Sequence, residues 1–259
     1  MNRIAMLSVH TCPMAMLGGK NTGGMNVYVR ELSRELGRRG YQVDVYTRCE
    51  NPDRPHIMEM GPNARVIHIC AGPEEHQDKN QLFQYLPEFA ASVLDYAAAH
   101  GLTYDIIHSH YWLSGWVARE LQKAWRAPII QMFHTLGEMK NRVARPDEPR
   151  EHARRIDSEG DIMRFAERVV AATERDRDHM LTLYGADPDR IRVIPCGVDL
   201  SLFYPRDRAS ARQAIGIEPD SKLVLFGGRM EPLKGIDDLL RAIAHIVQDQ
   251  SLPCSRLTL

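Results

Sequence analysis

The chain has 259 residues, 44% of them hydrophobic and 26% charged, a composition that suits one large globular domain or two smaller ones. A formal net charge of −1 argues against broad electrostatic binding to nucleic acid or to an anionic membrane. The first apolar run is far too short to span a bilayer, and no signal-peptide cleavage pattern follows it. Five dispersed cysteines (Cys12, Cys49, Cys70, Cys196 and Cys254) fit a reducing, cytoplasmic compartment, and none of their spacings is that of a metal-ligand motif, so no metal site is expected.

In chain order, Ile4 to Val9 reads as a buried strand, because near-continuous apolar runs mark parallel sheets covered on both faces. Two glycine pairs follow, Gly18-Gly19 and Gly23-Gly24, and then an amphipathic helix to about Arg39, with Thr22 as its N-terminal cap. Strand, glycine loop and helix together form a site where an anionic ligand can meet unpaired N–H groups and a positive dipole end. The spacing is neither that of the dinucleotide fingerprint nor that of a Walker loop.

Tyr41 to Thr47 is a second strand, and Cys49 to Pro62 a polar, proline-punctuated connection. Val66 to Ile69 is a third strand, followed by a charged loop from Ala71 to Asn80 and a helix over about Gln81 to His100. Asp105 to His108 forms a fourth strand, Leu113 to Trp125 a helix and Pro128 to Phe133 a fifth strand. A long charged helix covers roughly Glu148 to Glu167, and a short strand Val169 to Ala172, a helix Arg175 to Tyr184 and a strand Ile191 to Ile194 complete the series.

Strands alternating with helices imply a mostly parallel sheet with helices on both faces. Ligands of such sheets bind beyond the carboxyl ends of the strands, where the first, fourth and fifth strands deliver His10, His110 and His134. The pattern breaks at Pro195-Cys196-Gly197, which divides a domain over residues 1–195 from a crossing and second domain over 196–259. After a short helix near Ala209 to Ile215, the second domain restarts the same grammar with a strand Leu223 to Phe226, a turn carrying Gly228, Arg229 and Lys234, and a helix from Ile236. Arg256 to Leu259 reads as the start of a further strand, so the sequence is expected to be part of a longer protein.

Arg229 and Lys234 flank a strand-to-helix turn, a spacing that lets two cations reach one diphosphate and stabilise the charge it gains as a leaving group. The motifs VHTCP with TGGMNVYVREL, HSHYWLSG, FHT and GRMEPLKG, with PCGVDLSLF at the crossing, resemble the retaining nucleotide-sugar glycosyltransferases of family 4 with the two-domain GT-B fold. Within them the chain is most similar to the D-inositol-3-phosphate glycosyltransferases, and it is also similar to sucrose-phosphate synthases. The resemblance implies an α/β, GT-B architecture with a complete Rossmann-like N-terminal domain and the start of a second. It implies a nucleotide-sugar donor, a UDP-sugar in the first instance, and a phosphorylated polyol or sugar acceptor, with no cofactor required for the chemistry.

By that resemblance Gly23, Gly24 and His10 lie on the donor side with Arg229 and Lys234, and His134 faces the donor sugar, positioning it and supplying polarity. Asn26, Lys79, Tyr111, Thr135 and Arg155 fall at positions that hold a phosphorylated inositol, the cations and hydroxyl donors suiting a phosphate monoester. The loop Lys20-Asn21-Thr22 departs from the pattern, which leaves the acceptor open. Family members carry two glutamates eight residues apart in the second domain; the pair Glu151 and Glu159, at that spacing here, precedes the crossing and reads as surface. Sucrose synthesis, a nucleotide-sugar epimerase and an inactive or binding-only module are the alternatives, and a homodimer is left open.

Overall fold

The computed structural model describes residues 2–16, 23–146, 148–228, 234–248 and 257–258. Contacts divide the chain into two compact units, Met1–Cys196 and Gly197–Leu259.

The first unit is built on the apolar run after Asn2. It forms β1 (Arg3–Leu7), and α1 (Gly24–Arg38) follows the glycine pair. The order continues β2 (Gln42–Arg48), β3 (Ile57–Gly61), β4 (Ala64–Ile69), a 3-10 turn (Leu82–Tyr85), α2 (Leu86–Ala99), β5 (Ile106–His110) and α3 (Tyr111–Trp125). It closes with β6 (Ile129–Met132), α4 (Gly137–Val143), α5 (Ala153–Phe165), β7 (Arg168–Ala171), α6 (Glu174–Tyr184) and β8 (Ile191–Val193). The strands form one sheet in the order β3-β4-β2-β1-β5-β6-β7-β8. Every neighbouring pair is parallel except β3 with β4.

β1 is the pivot. Its alternate residues supply two cores: Ala5 and Leu7 pack with α2 and α3 on one face, and Ile4 and Met6 pack with Val29 of α1 on the other. Residues so enclosed are worth roughly 1.5–3 kcal/mol for each large aliphatic side chain, which is why this run tolerates no polar residue. From β1 the order runs outward through β2 in one direction and β5 in the other. The crevice beyond the carboxyl ends of β1 and β5 is therefore the topological switch point, where doubly wound sheets bind ligands.

Four sequence expectations need correction. The connection from Cys49 to Pro62 contains β3, an antiparallel edge strand whose alternating exposure gave no continuous apolar run. The long helix over Glu148 to Glu167 is shorter at its start, beginning at Ala153, and α4 precedes it in a stretch left unassigned. Helix α3 starts at Tyr111, two residues early, because His110 already has the extended conformation of a cap. Thr22 lies outside the described residues, and the N-cap of α1 is Gly23.

The second unit opens with α7 (Arg208–Ala214), capped by the Asp207 carboxylate, which accepts from Ser210 N at 2.9 Å. β9 (Lys222–Leu223) pairs in parallel with β10 (Leu257–Thr258), a shorter ladder than the strand expected to Phe226. Between them lies α8 (Ile236–Gln248), on which Ile243 is buried while Leu240, Ile246 and Val247 are exposed. No helix among the described residues is long and apolar enough to cross a membrane.

Candidate functional site

At the switch point, parallel pairing brings histidines from three strand ends together. β5 pairs His110 with Met132 of β6, so the chain just beyond β6 presents His134 beside His110. The His110 Nδ1 and His134 Nε2 atoms are 3.0 Å apart. Behind them His108 lies with its ring centroid 4.4 Å from that of His110. Tyr28 of α1 closes the front, edge-on to His134 at 5.2 Å and to His110 at 5.8 Å. His10 joins from the end of β1, its ring 4.4 Å from that of Tyr111.

Burial disfavours the imidazolium form throughout this group. His108 is pushed down to about 4 by burial alone, and His134 to about 4 by burial and then by His108. His110 is held well below 6.5 by burial, then by His108 and His134. His10 falls to about 3 through burial, Lys79, His134 and Arg155. All four rings are therefore neutral near pH 7. A neutral imidazole offers one donor and one acceptor, so the His110–His134 bond fixes the tautomers of both rings as a pair.

Backbone strain marks the same place. Tyr111 has φ +74° and His134 φ +62°, a left-handed conformation that side chains rarely adopt. Glycine would relax both positions but would remove the rings that line the crevice.

An electrostatic network lies next to the rings. Arg155 on α5 is 2% exposed and its guanidinium carbon sits 4.9 Å over the Tyr111 ring. Its Nε donates to Glu159 Oε1 at 2.8 Å, and its Nη2 donates to the carbonyl and hydroxyl of Thr135 at 3.0 and 3.1 Å. Its Nη1 pairs with Glu151 Oε1 at 2.9 Å. The same Glu151 oxygen meets Lys79 at 3.3 Å and Lys140. Against burial, which raises it, Arg155, Lys140 and Lys79 hold the Glu151 carboxyl down at about 2.

Glu151 and Glu159 are thus not surface residues. Glu159 is fully buried and also accepts from Gly137 N at 2.8 Å and from the Tyr184 hydroxyl. Their eight-residue spacing matters because Arg155 lies midway, with Glu159 one helical turn ahead of it on α5 and Glu151 in the chain just before the helix. The pattern was visible in the sequence; its burial depended on packing against α4 and α6. Lys140, on α4, is a residue that sequence reading missed and that shares the carboxylate with Lys79.

The glycine loop is fastened by Asn26, which is 1% exposed. Its Oδ1 accepts from Gly23 N at 3.0 Å, and its Nδ2 donates to Thr11 Oγ1 at 2.7 Å and Cys12 O at 2.8 Å. The whole amide is spent on tying the start of α1 to the loop after β1, so Asn26 shapes the crevice rather than reaching into it. Among the described residues, no atom beyond the chain neighbours and the helix's own backbone lies within 4 Å of where a Cβ would stand on Gly23 or Gly24. Of the cations assigned to the second unit, Arg229 falls outside the described residues. Lys234 is exposed just before α8, with its Cγ 3.8 Å from a Cβ placed on Gly228.

A family model described as Glycosyltransferase Family 4 matches residues 22–202. The chain is 41% identical over 257 residues to a D-inositol 3-phosphate glycosyltransferase of Kineococcus radiotolerans, covering 98% of this chain and 59% of that protein. It is 44% identical over 260 residues to the protein of the same name from Geodermatophilus obscurus, covering 98% of this chain and 57% of that one. Among solved structures, a sucrose-phosphate synthase from Thermosynechococcus elongatus superposes with a TM-score of 0.84 at 35% identity, over 95% of this chain and 60% of that one. The chain therefore spans about three fifths of the length of the curated relatives it matches.

Proposed function

The chain belongs to glycosyltransferase family 4 and has a GT-B type α/β architecture, and from that premise we propose that it serves transfer of a sugar from a nucleotide-sugar donor, a UDP-sugar, to a phosphorylated polyol. The observation that carries the acceptor half is the meeting of Lys79, Lys140 and Arg155 on one oxygen of Glu151, beside Thr135 and Tyr111. Three cations against the two carboxylates Glu151 and Glu159 leave a net positive charge at the carboxyl edge of the sheet. A phosphate dianion entering there would accept hydrogen bonds from Lys79 and the exposed Thr135 hydroxyl, while buried Arg155 supplies fixed charge behind them. Inositol phosphate is the acceptor this reading favours, because the relatives at 41% and 44% identity carry that substrate in their names.

In this reading the donor sugar lies against His134, and its neutral ring positions a hydroxyl without adding charge. An imidazole held at about 4 is a poor proton donor at neutral pH, so its role is orientation and polarity rather than acid catalysis. The two carboxylates built into the site, Glu151 and Glu159, are both committed to Arg155, which leaves neither as a nucleophile. Retention of anomeric configuration then follows from same-face attack, with the departing diphosphate taking the acceptor proton. By the family resemblance, Arg229 and Lys234 are the cations that neutralise that diphosphate.

Calorimetry with the purified chain tests the acceptor assignment. D-inositol 3-phosphate is expected to bind, and inositol without its phosphate to bind at least about tenfold more weakly. Equal affinities, or preference for fructose 6-phosphate as in a sucrose-phosphate synthase, would replace this acceptor.

A further inference from the structure

We propose that Cys49, Cys70 and Glu74 form a binding site for a thiophilic divalent cation of the Zn²⁺ type. The two thiols follow the ends of different strands, and the fold makes them neighbours. Arg48, the last residue of β2, is in register with Ile69, the last residue of β4, and Cys49 N donates to Ile69 O at 2.9 Å. Cys49 and Cys70 are therefore the next residues of two adjacent parallel strands, leaving the sheet side by side.

Glu74 is brought to them by a shaped loop. The chain turns at Gly72, where φ is +63° and a Cβ would stand 2.5 Å from the Tyr85 ring, so only glycine fits. Arg48, 2% exposed, then donates to Pro73 O at 2.6 Å and Glu75 O at 2.7 Å. One buried guanidinium thus grips the backbone on both sides of Glu74. The two sulfurs and a Glu74 oxygen consequently lie within 4.8 Å of one another. Glu74 makes no ion pair with a lysine or arginine among the described residues.

Two thiolates and one carboxylate are a fitting donor set for tetrahedral Zn²⁺, with water in the fourth position. Ligand atoms ~2.0–2.3 Å from a tetrahedral ion stand roughly 3.5–4 Å apart, so side-chain rotation alone closes the set. Binding exchanges two thiol protons for the cation, the protons pass to solvent, and no electrons move. A disulfide would use the two cysteines but would give the clamped carboxylate nothing to do. The loop that carries Glu74 continues to Lys79, so a cation here would also stiffen the segment that reaches Glu151.

The test uses the reduced 259-residue chain titrated with Co²⁺ and Zn²⁺ in metal-free buffer. One equivalent of Co²⁺ is expected, with a sulfur-to-cobalt charge-transfer band, and Zn²⁺ should displace it and raise Tm. Cys70→Ser should lose the band and bind at least tenfold more weakly, and Glu74→Gln should weaken binding by ~10-fold. Cys70 and Glu74 are exposed, so both variants should keep the metal-free Tm of the parent chain. No uptake by the parent chain, unchanged uptake and band in Cys70→Ser, or thiol titration showing Cys49 and Cys70 joined as a disulfide that excludes metal would each overturn the proposal.

Discussion

Arg155 and Glu159 form an ion pair inside the protein, with side chains 2% and 0% exposed and Nε 2.8 Å from Oε1. Both charges are satisfied further, the arginine by Thr135 and Glu151 and the glutamate by Gly137 N and Tyr184. Removing one partner strands the other without water. Glu159→Ala is therefore expected to cost about 3–5 kcal/mol in urea unfolding of the chain. Glu151→Gln, which leaves Arg155 its Glu159 partner, should cost less, about 1–3 kcal/mol. Equal losses would mean that the buried pair is not the anchor of α5.

Lys79 is an accessible test of the anion site, because its side chain is 29% exposed and its one ion-pair partner among the described residues is Glu151. Lys79→Met should leave Tm within a degree or two while weakening inositol phosphate binding about tenfold or more. A variant that loses stability but keeps its affinity would assign Lys79 to structure.

The neutral histidines give a pH signature. His108 titrates at 6.5 in the unfolded chain and at about 4 when folded, so between those values only the unfolded chain takes up the proton. Stability rises with pH wherever the unfolded state binds more protons, so it falls as pH drops from about 6.5 toward 4. From pH 7 to pH 5 the loss should be roughly 1–2 kcal/mol for this histidine, and His110, shifted the same way, adds to it. Glu151 has the opposite kind of shift, and its contribution is lost only as pH falls from 4.5 toward 2. Thermal melts of the parent chain and His108→Gln across pH 7 to 5 would separate the two, the variant showing the shallower slope.

Two glycines of α1 should respond oppositely to alanine. A Cβ on Gly37 would stand 2.1 Å from the carbonyl oxygen of Pro62, so Gly37→Ala must push helix and hairpin apart, at about 1–3 kcal/mol. Gly24 has, among the described residues and beyond its own helix and chain neighbours, no atom within 4 Å of its Cβ position. Gly24→Ala should fold as well as the parent, and Gly24→Val should keep the fold yet abolish sugar transfer in the full-length protein. Unchanged turnover by Gly24→Val would show that the space over the helix N-terminus holds no donor phosphate.

The sequence made the sheet legible because buried parallel strands are apolar throughout. Val43, Val66, Ile107 and Ile129 each mark a strand without reference to anything distant. It also showed which strand ends carry His10, His110 and His134. What it hid depends on long-range packing. Glu151 and Glu159 look like solvated charges until α4 and α6 close over them, and Ile57–Gly61 lacks the apolar run of an inner strand because it lies at an edge. Cys49 and Cys70 follow no spacing motif, since what joins them is the register of β2 against β4.

That same sheet has consequences for association. One edge is β3, five residues long, antiparallel and irregular between Glu59 and Gly61; the other is β8, only three residues long. Short, bulged edges offer few free N–H and C=O groups in a row, so neither is a template for adding a strand from another copy. Association of two copies through this unit would use its helical faces more readily than its sheet edges, and molecules of it meeting edge to edge would find little to propagate an aggregate.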